Sequence, residues 1–346
     1  MSLATEVSYR AVLLRLRKLA QRALEQYGID NAQLKLQSAD GNGIYRVTIP
    51  SDSESHQFPP GQYNLRLHQP GYMDPKFIPS EMMWLAALSD AGIPVPKPFR
   101  NLSGEWLTVV ESEFEVPCSR NCSLISWIDG RAPKNPSLHH MKAVGRVIGR
   151  MHEQSISWKP PKEFIRPHWN WEGLYGGGFE YGFVGEETRN TIPRAYQASF
   201  THAIELVKEG MEQLGTGREV YGVIHADFAV DGNVLFHKGE ARPIDFDDCG
   251  FGYWLFDLGV ALAHYFVEIE NPIPKMKEAL IESYTETTPL TDVNLEYIDL
   301  FTVARLAQLI YFYHGTAMVH PQFQESCNRY IKSFGEELKR VLKRIR

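Results

Sequence analysis

The stretch Val223–Gly259, VIHADFAVDGNVLFHKGEARPIDFDDCGFGYWLFDLG, gathers more chemistry-bearing side chains than any other part of the chain. An apolar lead-in runs into a polar loop, and two short β-prone runs, NVLFH and RPIDF, present acids at their ends. Phosphoryl transfer needs a carboxylate that orients and deprotonates an acceptor hydroxyl, and oxygen ligands that hold magnesium against the phosphates. An Asp, an Asn and a second Asp supply those parts. Asp227 lies in HAD and Asn233 follows six positions later, so one loop carries both a base and a neutral metal ligand. Asp245 stands at the end of the second run, across a hairpin from Asn233. Carboxylate and amide oxygens suit a hard cation such as Mg2+, which keeps part of its water shell and takes few protein ligands.

Outward from this stretch, 346 residues with 43% hydrophobic content are enough to fill two lobes. Lys and Arg number 36 against 42 Asp and Glu, a net charge of -6, with no long basic run to track a phosphate backbone. Nucleic acid is therefore not an expected partner. Arg15, Arg17 and Lys18 interrupt the apolar residues near the N-terminus, which leaves neither a secretory core nor a membrane span. The expectation is a soluble, cytoplasmic protein with no membrane partner. Of the four cysteines, Cys118 and Cys122 are close in sequence while Cys249 and Cys327 are isolated, a pattern of ordinary reduced thiols and not of paired zinc ligands.

Apolar residues at helical spacing from Tyr9 to Tyr27, with Gly28 as a stop, predict an amphipathic helix. AQLKLQS, GIYRVTIP and QYNLRLH, separated by turn residues, predict antiparallel strands. A helix is predicted from about Pro79 to Ala91, then an extended IPVPKP and the strand-like EWLTVVES and CSLISWI. The lobe boundary falls near Ser126, dividing 1–126 from 127–346. Beyond it Leu138, Met141, Val144, Ile148 and Met151 form a helical stripe, and Pro193 opens a helix to Leu214. Two or three further helices are expected after the acidic stretch.

HADFAVDGNVLF followed by IDFDDCGFGYWLFDLG resembles the catalytic and metal-binding loops of the aminoglycoside phosphotransferase and choline kinase superfamily, with the closest likeness to homoserine kinase type II and stress response kinase A. YNLRLH, the helix with Glu81 and the GRVIGRMH helix fall in that family's order. The resemblance implies an α+β, protein-kinase-like two-lobed fold with ATP between the lobes. It implies Asp227 as catalytic base, Asn233 and Asp245 as Mg2+ ligands, His225 as a brace of the catalytic loop, and Asp257 as a buried support of that loop. The acceptor would be a small-molecule hydroxyl of homoserine, amino alcohol, sugar or aminoglycoside type. A Ser/Thr protein kinase of the stress response type and a nucleotide-binding pseudokinase are the alternatives.

The chain departs from the family's pattern in three places. The family usually has its asparagine five residues after the aspartate, where this chain has Gly232; a bulge eased by Gly232 would bring Asn233 into place, and Asp231 is the rival ligand. The strand residue expected to contact nucleotide phosphate is Arg66 instead of lysine, paired either with Glu81 beside the phosphates or with Glu81 as a surface salt bridge. SADGNG (Ser38 to Gly43) offers Gly41 and Gly43 as a phosphate-covering loop or as a plain hairpin turn.

Gly173–Gly185 reads as a mobile loop, and with Arg166, Trp169, Trp171, Tyr175, Phe179 and Tyr181 it either forms part of an acceptor pocket or packs on its own aromatics. His139 and His140 read as helix surface. Asp247 and Asp248, following Asp245 in IDFDD, read either as metal or acceptor contacts or as capping and turn-forming residues, with Asp247 the secondary candidate.

Overall fold

The computed structural model describes residues 9–39, 41–51, 58–111, 119–176, 185–263, 273–288 and 292–345. Cys118, Phe179, Tyr181 and the Asp40 of the SADGNG turn lie outside them. The chain divides into two compact units, residues 1–86 with 96–128, and residues 87–95 with 129–346.

In the first unit α1 (Tyr9–Glu25) covers an antiparallel sheet of β1 (Gln33–Ser38), β2 (Gly43–Ile49), β3 (Gly61–Leu67), β4 (Pro98–Phe99), β5 (Thr108–Val110) and β6 (Arg120–Ser126), ordered β1-β2-β3-β6-β4 with β5 also on β6. Alternation decides the faces: Tyr45, Val47 and Ile49 of β2 are buried, and their neighbours are only half so. They pack with Leu16, Leu19, Ala20 and Ala23 of α1 in one apolar cluster. α1 stops because Gly28 takes φ +70, its N–H donating to Glu25 O at 2.9 Å while Ile29 N–H reaches Leu24 O at 3.0 Å. α2 (Ile78–Asp90) ends the same way at Gly92.

Arg66 of β3 points at Glu81 in the first turn of α2, Nη1 donating to Oε1 at 3.0 Å, with side chains only 4% and 0% exposed. The pair is buried, so the surface-salt-bridge alternative does not describe it. Gly41, at φ +96, and Asn42 make the β1–β2 turn, and Asn42 Oδ1 accepts the Gln69 N–H at 2.8 Å just past β3. Gly43 opens β2 opposite Leu67.

In the second unit α3 (Leu138–Ser157) lies on α8 (Ile273–Thr285), and α7 (Trp254–Ala263) and α10 (Gln324–Leu342) lie on α9 (Asp292–Val319). Every residue from Leu300 to Tyr311 is buried, so α9 is covered on all sides. α6 (Arg194–Leu214) also packs on it. Ser137 caps α3, accepting the His140 N–H, while His140 Nδ1 accepts the Ser137 N–H at 3.0 Å; His140 is thus a capping residue. Leu138 of the predicted stripe is exposed, and Met141, Val144, Ile148 and Met151 are buried.

Two small sheets carry the acidic stretch: β8 (Tyr221–Ile224) pairs antiparallel with β11 (Gly250–Tyr253), which also pairs with β7 (His168–Trp169), and β9 (Val234–His237) forms a hairpin with β10 (Glu240–Pro243). β11 and β7 escape sequence reading because glycine-rich GFGY and a two-residue bridge carry no alternation. Sequence reading also missed the short helix α4 (Trp171–Tyr175) in the predicted loop, and α5 (Glu186–Asn190) beyond it. Asn170 nucleates α4, its side chain accepting the Gly173 N–H at 2.9 Å. Among the described residues three helices, α8 to α10, follow the acidic stretch, where two or three were expected, while α7 begins inside it at Trp254 and escapes sequence reading because its residues are buried all round and lack a stripe.

Two predictions follow from this packing. Arg66→Met strands the buried Glu81 carboxylate and should lower unfolding free energy by about 3 to 5 kcal/mol in urea titration. A Cβ at Gly145 would sit 2.2 Å from Leu280 O of α8. Gly145→Ala should therefore cost about 1 to 3 kcal/mol and depress Tm, since helix backbones cannot part without opening the core.

Candidate active site

β8 delivers the chain into a loop, residues 225–233, that is held from below by Asp257 in the first turn of α7. Asp257 is fully buried, and its Oδ1 accepts the Ala226 N–H at 2.7 Å while Oδ2 accepts the His225 N–H at 3.0 Å. His152 of α3 donates its Nε2 proton to the same Oδ2 at 3.1 Å, and its Nδ1 lies 3.0 Å from the Tyr284 hydroxyl. A carboxylate engaged this fully is a support, not a reactant. Its grip keeps Ala226 at φ +66, a left-handed conformation that a residue with a Cβ otherwise avoids.

His225 ties this loop to the next. Its Nδ1 accepts the Asp227 N–H at 3.3 Å, which puts the proton on Nε2, and Nε2 donates to Ile244 O at 3.0 Å. The ring packs between Phe228 and Phe246, with centroids 5.1 and 4.4 Å away. His225 thus sets the spacing of the two acidic loops without itself facing solvent.

Asn233 donates through Nδ2 to Asp227 Oδ2 at 2.7 Å and to Asp227 O at 3.0 Å. Because the amide nitrogen faces Asp227, its carbonyl oxygen is directed elsewhere as an acceptor. Asp231, the rival, is exposed, whereas Asn233 is half-buried against Asp227. The extra residue is absorbed differently from the expectation. Asn233 N–H donates to Ala229 O at 2.7 Å and Gly232 N–H to the same oxygen at 3.2 Å, so residues 229–233 close a helical turn. Gly232 is not among the residues with positive φ, and a Cβ there would meet nothing within 4 Å. The turn, not glycine's freedom, restores the register.

Ile244 N–H donates to Asn233 O at 2.9 Å, extending the β9–β10 hairpin by one rung and setting Asp245 just beyond Asn233. Asp245 is exposed and takes φ +63. The loop after it is braced from beneath. Arg166, buried, donates to the carbonyls of Asp247 and Cys249, and Trp169 Nε1 donates to Asp248 O at 2.7 Å. Tyr175 donates to Ala304 O at 2.6 Å and Trp171 to Ile204 O at 2.8 Å. Arg166 and Trp169 thus brace the loop after Asp245, while Trp171 and Tyr175 are tied to α6 and α9.

Two further residues stand here, Asp248, which the sequence offered beside Asp247, and Arg305, which sequence reading passed over. Asp248 has a solvent-inaccessible Oδ1 with no hydrogen-bond partner. Its carboxyl is pushed up to about 7, first by burial and then by the Asp227 charge, with Arg305 opposing. Arg305 of α9, 4% exposed, donates through Nη2 to Asp227 Oδ1 and through Nη1 to Gln308 Oε1, the latter at 2.8 Å. The signal was present in VARLAQLIYF, where Arg and Gln three apart interrupt an otherwise apolar helix.

Residues 51–289 match the sequence profile of the phosphotransferase enzyme family. Amicoumacin kinase of Bacillus subtilis (strain 168) is 24% identical over 249 residues, 69% of this chain and 65% of that protein. Homoserine kinase of Methylobacillus flagellatus is 25% identical over 215 residues, 62% of this chain and 61% of that protein. The chain thus matches somewhat under two thirds of the length of these relatives. Among solved structures, a microcompartment-associated aminopropanol kinase superposes with TM-score 0.77 at 26% identity, over 95% of this chain and 98% of that one. Amicoumacin kinase hAmiN, solved with AMP-PNP, Ca2+ and Ami, superposes with TM-score 0.70 at 20% identity, over 95% and 96%. The chain belongs to the phosphotransferase enzyme family and has the α+β, protein-kinase-like fold of its relatives.

Proposed function

We propose that this chain is an ATP-dependent kinase that transfers the γ-phosphoryl group to a hydroxyl of a small molecule, with Asp227 as the base. The observation that carries the reading is the Asn233 amide bonded to Asp227 at 2.7 Å, which orients the base and leaves a carbonyl oxygen for a cation. Kinases of homoserine, amicoumacin and aminopropanol among its relatives support a small-molecule acceptor over a protein. Asp227, Asn233 and Asp245 on adjoining loops favour an enzyme over a nucleotide-binding pseudokinase.

Asp227 takes the acceptor's proton as the acceptor oxygen bonds to the γ-phosphorus and the bond to ADP breaks. Asn233 Oδ1 and the Asp245 carboxylate are the atoms that would hold Mg2+, a donor set small enough for a cation that takes most of its ligands from water and phosphate. That ion, when bound, offsets the charge of the phosphates. His225 and Asp257 keep the two loops in register. Residues 1–126 would contribute the nucleotide contacts, with Arg66, steadied by Glu81, neutralising phosphate charge and the turn at Gly41 and Gly43 adjoining it. Residues 127–346 would supply base, metal ligands and acceptor contacts, in a cytoplasmic enzyme.

Transfer from labelled ATP should be measured across homoserine, amino alcohols, sugars, aminoglycosides and a Ser/Thr peptide. Asp227→Asn should lower kcat on the best acceptor by about 100-fold or more, and Asn233→Ala should do likewise. Wild-type turnover in both variants would sink the assignment. Gly232→Ala is expected to keep activity and Tm within error, because the turn that carries Asn233 does not need glycine.

A further inference from the structure

α9 sets a permanent positive charge directly against the proposed base. Nothing in the transfer step requires one there. A guanidinium on Asp227 Oδ1 occupies one oxygen of the carboxylate that the acceptor hydroxyl must reach. Burying that guanidinium also has a desolvation cost, which a structural contact alone does not explain on a helix already covered on all sides.

The donor count points to a ligand. Arginine offers five N–H groups and cannot accept. Among the described residues Arg305 directs one to Asp227 and one to Gln308, while its Nε has no partner. Gln308, 5% exposed, accepts from Arg305 through Oε1, so its amide nitrogen is turned to other use. Guanidinium and carboxamide together form a donor cluster on one face of α9, three residues apart, beside the atom that takes the acceptor's proton. Two turns further along the same helix, Tyr313 lies within electrostatic reach of both Arg305 and Asp227. Its ring stacks on Tyr330 at 4.7 Å and gives this side an aromatic wall.

We infer that Arg305 and Gln308 bind a carboxylate carried by the acceptor, so that the hydroxyl presented to Asp227 belongs to a hydroxy acid or hydroxy amino acid. The inference rests on Asp227 being the base. One guanidinium matches one carboxylate in charge and in fork geometry, whereas a phosphate would bring a second charge beside the triphosphate. The carboxylate draws Arg305 partly off Asp227, which frees Asp227 Oδ1 for the acceptor hydroxyl only when an acceptor is present. An acceptor whose ammonium lay at this position would instead meet a like charge. The opposite arrangement, an ammonium held by Asp248, is the competing outcome.

The test uses the intact chain with Mg2+ and a non-hydrolysable ATP analogue, and measures binding of γ-hydroxybutyrate, homoserine, propanolamine and butanol by calorimetry. Transfer from ATP to the same four compounds is followed in parallel. Wild type should bind the two acids at least tenfold more tightly than propanolamine or butanol. Arg305→Met should remove that preference, and Gln308→Ala should weaken acid binding about tenfold while leaving butanol unchanged. Asp227→Asn should abolish transfer yet bind γ-hydroxybutyrate more tightly than wild type, because Arg305 loses its competing carboxylate. If Arg305→Met fails to fold, Gln308→Ala and Asp227→Asn decide the matter. Tighter binding of propanolamine than of the acids, or equal effects of Gln308→Ala on acids and butanol, would overturn the inference. Carboxylate binding without transfer to any acceptor would leave this site standing and remove the kinase reading instead.

Discussion

Asp257 sits where no water reaches, and its two oxygens answer for three donors from two different parts of the chain. A buried carboxylate is tolerable only when its charge is spread over such donors, so the backbone N–H groups of residues 225 and 226 must stay in place for the interior to remain satisfied. That requirement forces the left-handed turn at Ala226, and the turn in turn aims Asp227 out of the core. His152, holding the same oxygen, ties α3 into the arrangement. The loop over residues 225–233 is therefore positioned by the energetics of an interior charge, not by its own local preferences.

The second acidic loop has no such carboxylate beneath it, and it is supported by cations and aromatics instead. Arg166 and Trp169 satisfy three successive carbonyls, those of residues 247 to 249, which would otherwise be stranded where the chain leaves the β9–β10 hairpin for β11. The His225 ring links the two systems through one bond to Ile244. Arg166 and Trp169 serve the loop from behind, while Trp171 and Tyr175 anchor their own helix to α6 and α9.

Much of this was legible in the sequence. Periodicity located α1, α2, α3 and α6 and the strands of the first unit because each has one wet face and one dry one. It failed for α7 and for the middle of α9, where burial on every side erases the stripe, and for β11, where glycines carry no pattern. The loop residues Asp227, Asn233 and Asp245 stood out as polar side chains between apolar runs. Arg305 did not, since its surroundings are set by elements far apart in the chain: α9 lies some seventy residues beyond Asp227. Where a bulge eased by Gly232 was expected, residues 229–233 close a helical turn instead, and Gly232 does not take positive φ.

The helical turn over residues 229–233 also bears on how such loops drift over evolutionary time. A turn closed on one carbonyl can admit or release a residue while both of its ends stay anchored, one by Asp257 and the other by the hairpin. The number of residues between Asp227 and Asn233 can then change while the 2.7 Å contact between their side chains is kept. Lineages of this fold can thus differ in the count of residues between Asp and Asn without having changed their chemistry.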